Sequence, residues 1–200
     1  MIYLTNVLGS ERLLRTLLAE VGKSDILLIG GDVCLDPAII DLRFYAVPGD
    51  LDDIYILHKL RVLKANIDGK AIKLGNVLLL GIGGVNPHQS IRLLKKSLSR
   101  YIDLDDLIKI LITHYPPYGI LDYSESLRVH RGLGIINEVI DSLRPNFVLL
   151  GHPYRPMGIC IYRDSLVINP GPFSEGFYLV INPETYEVSI NALRRYCGRG

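Results

Sequence analysis

Four polar side chains each follow an apolar run. Asp32 comes after Ile26–Ile29 and Gly30-Gly31, and Asp50 comes after 44–47 and Pro48-Gly49. His114 comes after 109–112 and Thr113, and leads into Tyr115-Pro116-Pro117; His152 comes after Phe147–Leu150 and Gly151. Glycine stands directly before Asp32, Asp50 and His152, where it lets the backbone turn tightly and bring the next side chain inward. Two carboxylates and two imidazoles form a ligand set suited to Zn, Mn or Fe. Each residue alone has an ordinary explanation, an Asp as turn former or helix cap and a His as loop packing. Four of them at equivalent positions favour a metal site over four separate coincidences.

The elements that must position them follow from the hydrophobic pattern. The runs at 25–30, 42–47, 107–113 and 146–150 read as strands, the continuously apolar ones as buried parallel strands. Segment 10–21 repeats Leu13, Leu14, Leu17, Leu18 and Val21 at helical spacing, and 53–63, 87–101 and 133–143 read as further helices. Segments 71–74 and 77–82 read as a hairpin closed by Gly75-Asn76. Short strands at 159–162, 165–168, 176–181 and 187–190 complete the chain. Strand–helix alternation followed by strands predicts an α/β (α+β) fold in which helices cover sheets. The carboxyl ends of parallel strands are where such folds place their sites. A single domain over 1–193 with a basic tail at 194–200 is expected, since 200 residues suit one domain and no linker divides them.

Composition bounds the chemistry. Lys and Arg number 22 against 21 Asp and Glu, a net charge of +1 that excludes a polybasic nucleic-acid binder. Five histidines (His58, His88, His114, His130, His152) supply all imidazole chemistry. Three widely spaced cysteines, Cys34, Cys160 and Cys197, form no disulfide framework or zinc-finger spacing, so a reducing cytoplasm is expected. No apolar run is long enough to span a bilayer, and no signal segment is visible. The single glutamine, Gln89, with abundant Ile, Leu and Arg, points to a thermophile.

The blocks GGDVC (30–34), VPGDLDD (47–53), THYPPYG (113–119), GHPYRP (151–156) and INPGPFSEG (168–176) carry a resemblance. Taken together and in this order they resemble the calcineurin-like metallophosphoesterase superfamily, within it the compact archaeal and bacterial phosphoesterases that lack further domains. HYPPYGILD followed by His130-Arg131-Gly132 is especially similar to that group. The resemblance implies a four-layer αββα sandwich. It also implies phosphoester hydrolysis at two metal ions bridged by one Asp and a hydroxide, with a nearby His acting on the phosphate or leaving group.

The departures from the family pattern are specific. The opening D-x-H-G reads Asn6-Val7-Leu8-Gly9; GNHD reads Gly49-Asp50-Leu51-Asp52; GHxH reads Gly151-His152-Pro153-Tyr154. One implied metal site keeps only Asp32 cleanly, with Asn6 and Tyr154 as poor substitutes. The other keeps Asp32, Asp50, His114 and His152 in full. One divalent ion per chain (Mn, Zn or Fe) is therefore expected at those four residues, with the second site lost. Leu51 also replaces the family's catalytic His, and loss of a general acid costs about 10²–10⁴-fold in rate. Asn6 is expected to orient water or phosphate, and His130 to contact phosphate or merely pack its loop. Leu8 and Leu51 would form an apolar floor if they pack together. Arg131 reads as phosphate-binding or solvated, Gly81-Ile82-Gly83-Gly84 as a tight strand exit without a P-loop's GK[ST], and Arg92, Lys95, Lys96 and Arg100 as a solvated face. The expected function is an attenuated metal-dependent phosphoesterase acting on a phosphodiester or small phosphate ester, with a homo-oligomer left open. The alternative is an inactive binding or scaffold protein of the same fold, with a protein partner.

Overall fold

The structure, a computed structural model, describes residues 1–101, 106–152 and 157–193. Two sheets form its centre. The first has the order β13-β12-β1-β2-β3, with β1 at Ile2–Leu4, β2 at Ile26–Ile29, β3 at Arg43–Ala46, β12 at Phe177–Asn182 and β13 at Glu187–Ala192. The second has the order β10-β11-β9-β6-β5-β4. Its strands are β4 at Ala71–Leu74, β5 at Val77–Ile82, β6 at Ile108–Thr113, β9 at Phe147–Leu150, β10 at Gly158–Tyr162 and β11 at Ser165–Asn169. Strands β1, β2 and β3 run parallel, as do β5, β6, β9 and β11. The strands that close the chain and the β4–β5 hairpin add antiparallel pairs, so both sheets are mixed.

Alternation along each strand divides the core into layers, because successive side chains leave opposite faces of a sheet. On β1, Ile2 and Leu4 join one cluster and Tyr3 another; on β2, Leu27 and Ile29 separate from Leu28 in the same way. On β9, Val148 and Leu150 face outward while Phe147 and Leu149 face the other sheet. The middle cluster therefore joins the two sheets, Leu28 and Tyr3 from one packing with Phe147 and Ile112 from the other. Outside the first sheet lie helices α1 (Glu11–Glu20) and α2 (Ile54–Val62), which bury Leu14, Leu17, Ile56 and Leu60. Outside the second lie α3 (Pro87–Leu98) and α4 (Gly134–Leu143), which bury Ile91, Leu94, Ile136 and Ile140. This is the αββα order of layers.

The helices stop and start where their residues demand it. Asp53 caps α2 by accepting from Ile56 N–H at 2.9 Å, and Asn86 caps α3 by accepting from Gln89 N–H at 3.0 Å, with Pro87 at its first position. Among the elements the hydrophobic pattern misses is a two-stranded hairpin of β7 (Tyr123–Ser124) and β8 (Val129–His130). Two-residue strands carry no readable period. The hairpin lies in the long connection that leaves β6 just after His114. Arg92, Lys95 and Lys96 are exposed on α3 and Arg100 just beyond it, and His58 and His88 are exposed as well. Cys34 and Cys160 are free thiols. Tyr154, Cys197 and the tail at 194–200 lie outside the described residues. Among the described residues no helix is long and apolar enough to cross a membrane.

Candidate metal centre

The carboxyl ends of β2, β3, β5, β6 and β9 converge, and glycine is what lets them. A Cβ on Gly151 would collide with the Gly30 carbonyl, one on Gly49 with the Asp32 carboxylate, and one on Gly84 with the His114 ring. Gly31, at φ +103, adds a conformation that L side chains rarely adopt, and its Cα abuts Gly49 and His114. The GG, PG, GG and GH pairs of the sequence are thus points of close backbone approach between neighbouring loops, two of them from opposite sheets.

Asp50, His114 and His152 come together there. One ligand atom from each lies within 4.8 Å of the others. His114 Nε2 stands 3.0 Å from Asp50 Oδ1, and His152 Nε2 stands 3.9 Å from Asp50 Oδ2. The opposite nitrogen of His114, Nδ1, donates to the Gly30 carbonyl at 2.9 Å. That bond fixes the ring and turns Nε2 toward the cluster, the arrangement metal-binding histidines adopt. His114 is fully buried, and Tyr115 packs edge-on to its ring while stacking on His152 at 5.4 Å.

Asp32 is placed differently. Its backbone sits at φ +54, in the left-handed region that Asp tolerates better than most residues. Oδ1 lies 3.8 Å from His114 Nε2 and accepts from Leu51 N–H at 3.1 Å. Oδ2 accepts from Asn6 Nδ2 at 2.9 Å. Asn6 is itself wholly buried, and its Oδ1 accepts from the Thr5 hydroxyl at 2.9 Å. Since a carboxylate can only accept, the amide nitrogen must face Asp32. Both ends of the Asn6 side chain are thus engaged inside the protein, one of them on Asp32.

The electrostatics favour ligation. Asp50 is held down at about 2, first by its hydrogen bond from His114, which together with the charge of that imidazole outweighs the opposing effect of burial. His152 is pushed down to about 4 by burial and by the neighbouring His114, so its imidazole is neutral at neutral pH. Burial opposes charge on His114, yet the bond to Asp50 and the nearby Asp32 raise its pKa. Burial raises that of Asp32, partly offset by His114. An anionic Asp50, a neutral His152 and an oriented His114 whose Nε2 proton a cation can displace are a donor set that fits a divalent ion.

Leu8 and Leu51 do not make a buried floor. They are 42% and 62% exposed, and Leu8 sits at φ +48. Asp52, which sequence reasoning passed over, ties the two carboxylate loops together: Oδ2 accepts from Gly49 N–H at 2.8 Å and Oδ1 from Cys34 N–H at 3.0 Å. The second missed residue is Asp122. Nearly fully buried, it accepts from His130 Nδ1 at 2.6 Å and from the Gly119 and Gly132 N–H groups, both at 2.9 Å. His130 is packed between the rings of Tyr118 and Tyr123 and remains 43% exposed. The charge of its neighbour Arg131 contributes, after burial and His114, to lowering the pKa of His152. Both acids stand inside quoted blocks, VPGDLDD and HYPPYGILD, but a lone Asp in a loop gives no sign of what it will accept from.

A layered αββα fold with Asp and His at its strand ends defines a metallophosphoesterase-like protein. The chain belongs to the calcineurin superfamily of metallophosphoesterases, whose family model matches residues 40–193. It is similar to an uncharacterized protein of Methanocaldococcus jannaschii, 27% identical over 180 residues, covering 78% of this chain and 81% of that one. Among solved structures it is similar to TT1561 of Thermus thermophilus, with a TM-score of 0.73 and 19% identity over 96% of this chain and 98% of that one. It is also similar to an archaeal phosphodiesterase, with a TM-score of 0.60 and 14% identity over 96% of this chain and all of that one. These structural likenesses bear on the fold.

Proposed function

We propose that the protein is a metal-dependent phosphoesterase, acting on a phosphodiester or small phosphate ester at reduced rate, with one divalent ion (Mn, Zn or Fe) per chain. The observation that carries this reading is the Asp50–His114–His152 cluster, whose atoms converge within 4.8 Å while the backbone bond from Gly30 holds His114 in a ligating orientation. Asp50, His114 and His152 hold the ion, and Asp32 completes the set from 3.8 Å beyond His114. When bound, such an ion supplies Lewis acidity toward a phosphate oxygen and makes water a better nucleophile. The chain supplies the rest. Asn6, Leu51 N–H and Asp52 keep the two carboxylates in place. His130, fixed by Asp122, presents its outer nitrogen to the solvent side of the hairpin, where it contacts phosphate or delivers a proton to the leaving oxygen. The free thiols keep the cytoplasm as the proposed location.

One observation favours a second reading, a non-catalytic binding protein. Leu8 and Leu51 are exposed where the family places histidines, and an exposed leucine at positive φ serves neither solubility nor backbone comfort. The test separates the two. Protein prepared with Mn²⁺ is examined for anomalous scattering and assayed on bis(p-nitrophenyl) phosphate beside His114→Ala. Metal at the cluster with turnover above the variant is expected. No metal and no turnover above the variant would sink the hydrolase reading. Restoring the family pattern with Leu8→His, Leu51→His and Tyr154→His is expected to raise turnover.

A further inference from the structure

A cavity of about 340 Å³ opens between the end of α2, the start of α3 and the loop after β3. It borders the metal centre. Pro48 lines it two residues before Asp50, and Val85 lines it next to Gly84, whose Cα abuts the His114 ring. The Gly84 N–H to Pro48 carbonyl bond, 2.8 Å, joins these two walls. Three of the polar groups inside offer donors: Asn66, Arg61 and Lys70. Asn66, only 7% exposed, uses Oδ1 to accept from Asp68 N–H at 2.8 Å. Its Nδ2 has no hydrogen-bond partner among the described residues and is not sealed within the protein, so it is open to the cavity. Arg61 and Lys70 also line the space, and neither has a carboxylate within 4.0 Å among the described residues; Lys70 Nζ donates to the Asn66 carbonyl at 2.7 Å. The one acid on the wall, Asp68, already accepts from Gly83 N–H at 2.7 Å.

An amide N–H held by a nearly buried side chain and open only to a cavity is a fixed donor that a bound acceptor can complete. Two cations beside it define what would. We propose that this cavity holds the non-reacting part of the phosphoester and selects substrates that carry a second anionic oxygen group, a phosphate or carboxylate. This rests on the hydrolase reading above, and sharpens it to a substrate class. The reacting phosphate sits at the Asp50–His114–His152 cluster. The second anion accepts from Asn66 Nδ2 and is charge-paired by Arg61 and Lys70, with the linking organic part against Pro48.

The experiment uses a matched pair of ligands. Mn²⁺-loaded protein is titrated calorimetrically with thymidine 3′,5′-bisphosphate and with thymidine 5′-phosphate. In parallel, thymidine 5′-(p-nitrophenyl phosphate) is assayed with and without a 3′-phosphate. The second phosphate is expected to tighten binding, and to lower KM, by about tenfold, the size of one charge-assisted contact. In Arg61→Gln and in Asn66→Asp, which keeps the oxygen that Asp68 N–H needs, that gain is expected to vanish. Equal unfolding midpoints identify the variants that remain folded, and Arg61 is exposed, so its variant carries the test if Asn66→Asp fails to fold. Equal affinity for the two ligands in the unaltered protein overturns the proposal, as does a gain that survives Arg61→Gln. Binding gain without any hydrolysis keeps the cavity and removes the hydrolase reading. Hydrolysis without the gain does the reverse.

Discussion

At the scale of single residues, the centre is governed by what buried acids accept. Asp32 is satisfied by Asn6 and Leu51, so Asn6→Ala leaves one carboxylate oxygen buried without its donor. A loss of about 1–3 kcal/mol is expected in urea denaturation, the cost of an unsatisfied buried group. Asp122 gives a pH signature. Its carboxyl is buried, which alone would raise its pKa, but His130 and the Gly119 and Gly132 N–H groups carry the balance below the ordinary 3.8. A depressed folded-state pKa means that its stabilisation is present above pH 3.8 and lost as pH falls through the lower folded value. Acid titration monitored at the His130 ring is expected to show the 119–132 loop loosening in that window, and Asp122→Asn is expected to remove the step. A ring signal unchanged across the window would remove this role for Asp122.

At the scale of elements, strands deliver the ligands and glycines set how close they come. Gly49→Ala would drive a methyl into Asp32, whereas Gly119→Ala meets open space and pays only for its positive φ. The first is expected to cost about 1–3 kcal/mol, the range of forced overpacking, and to reduce Mn²⁺ uptake. The second is expected to cost about 1–2 kcal/mol, the strain of a left-handed non-glycine residue, with metal uptake intact. Metal content after dialysis separates the two even where their stabilities overlap. Most strands and helices were legible in the sequence because a helix buries one face at a clear period, as Leu14 and Leu17 do on α1, and a central strand buries both faces as a continuous apolar run, as β9 does. The β7–β8 hairpin was not, since its fold depends on Asp122 accepting from residues up to ten positions away.

At the scale of the whole molecule, a bound ion should act as a staple between sheets, because Asp50 follows the first sheet while His114 and His152 follow the second. Ligand bound only to the folded state stabilises by about 2.7 kcal/mol at one hundred times Kd. For a chain of this size that is a rise in Tm of roughly 5–10 °C. Adding Mn²⁺ is expected to produce such a rise, a chelator to reverse it, and His114→Ala to abolish it. A rise of equal size in His114→Ala would place the ion elsewhere.

The sequence by itself determined that helices cover sheets and the order of most of these elements, while the αββα layering was implied by the resemblance to the metallophosphoesterase superfamily. It also nominated Asp32, Asp50, His114 and His152, because strand-end chemistry and hydrophobic period are local properties of the chain. The tertiary structure decided how those residues divide the work. It put Asp50 with the two histidines, and it set the Asn6 amide on Asp32. It also showed Asp52 and Asp122 to be the acids that hold the loops. Those roles rest on hydrogen bonds such as Asn6 to Asp32, His114 to Gly30 and Cys34 to Asp52, which join positions 18 to 84 residues apart. No pattern within a short window carries such bonds; they exist only once two sheets have packed and their glycine-ended strands have met.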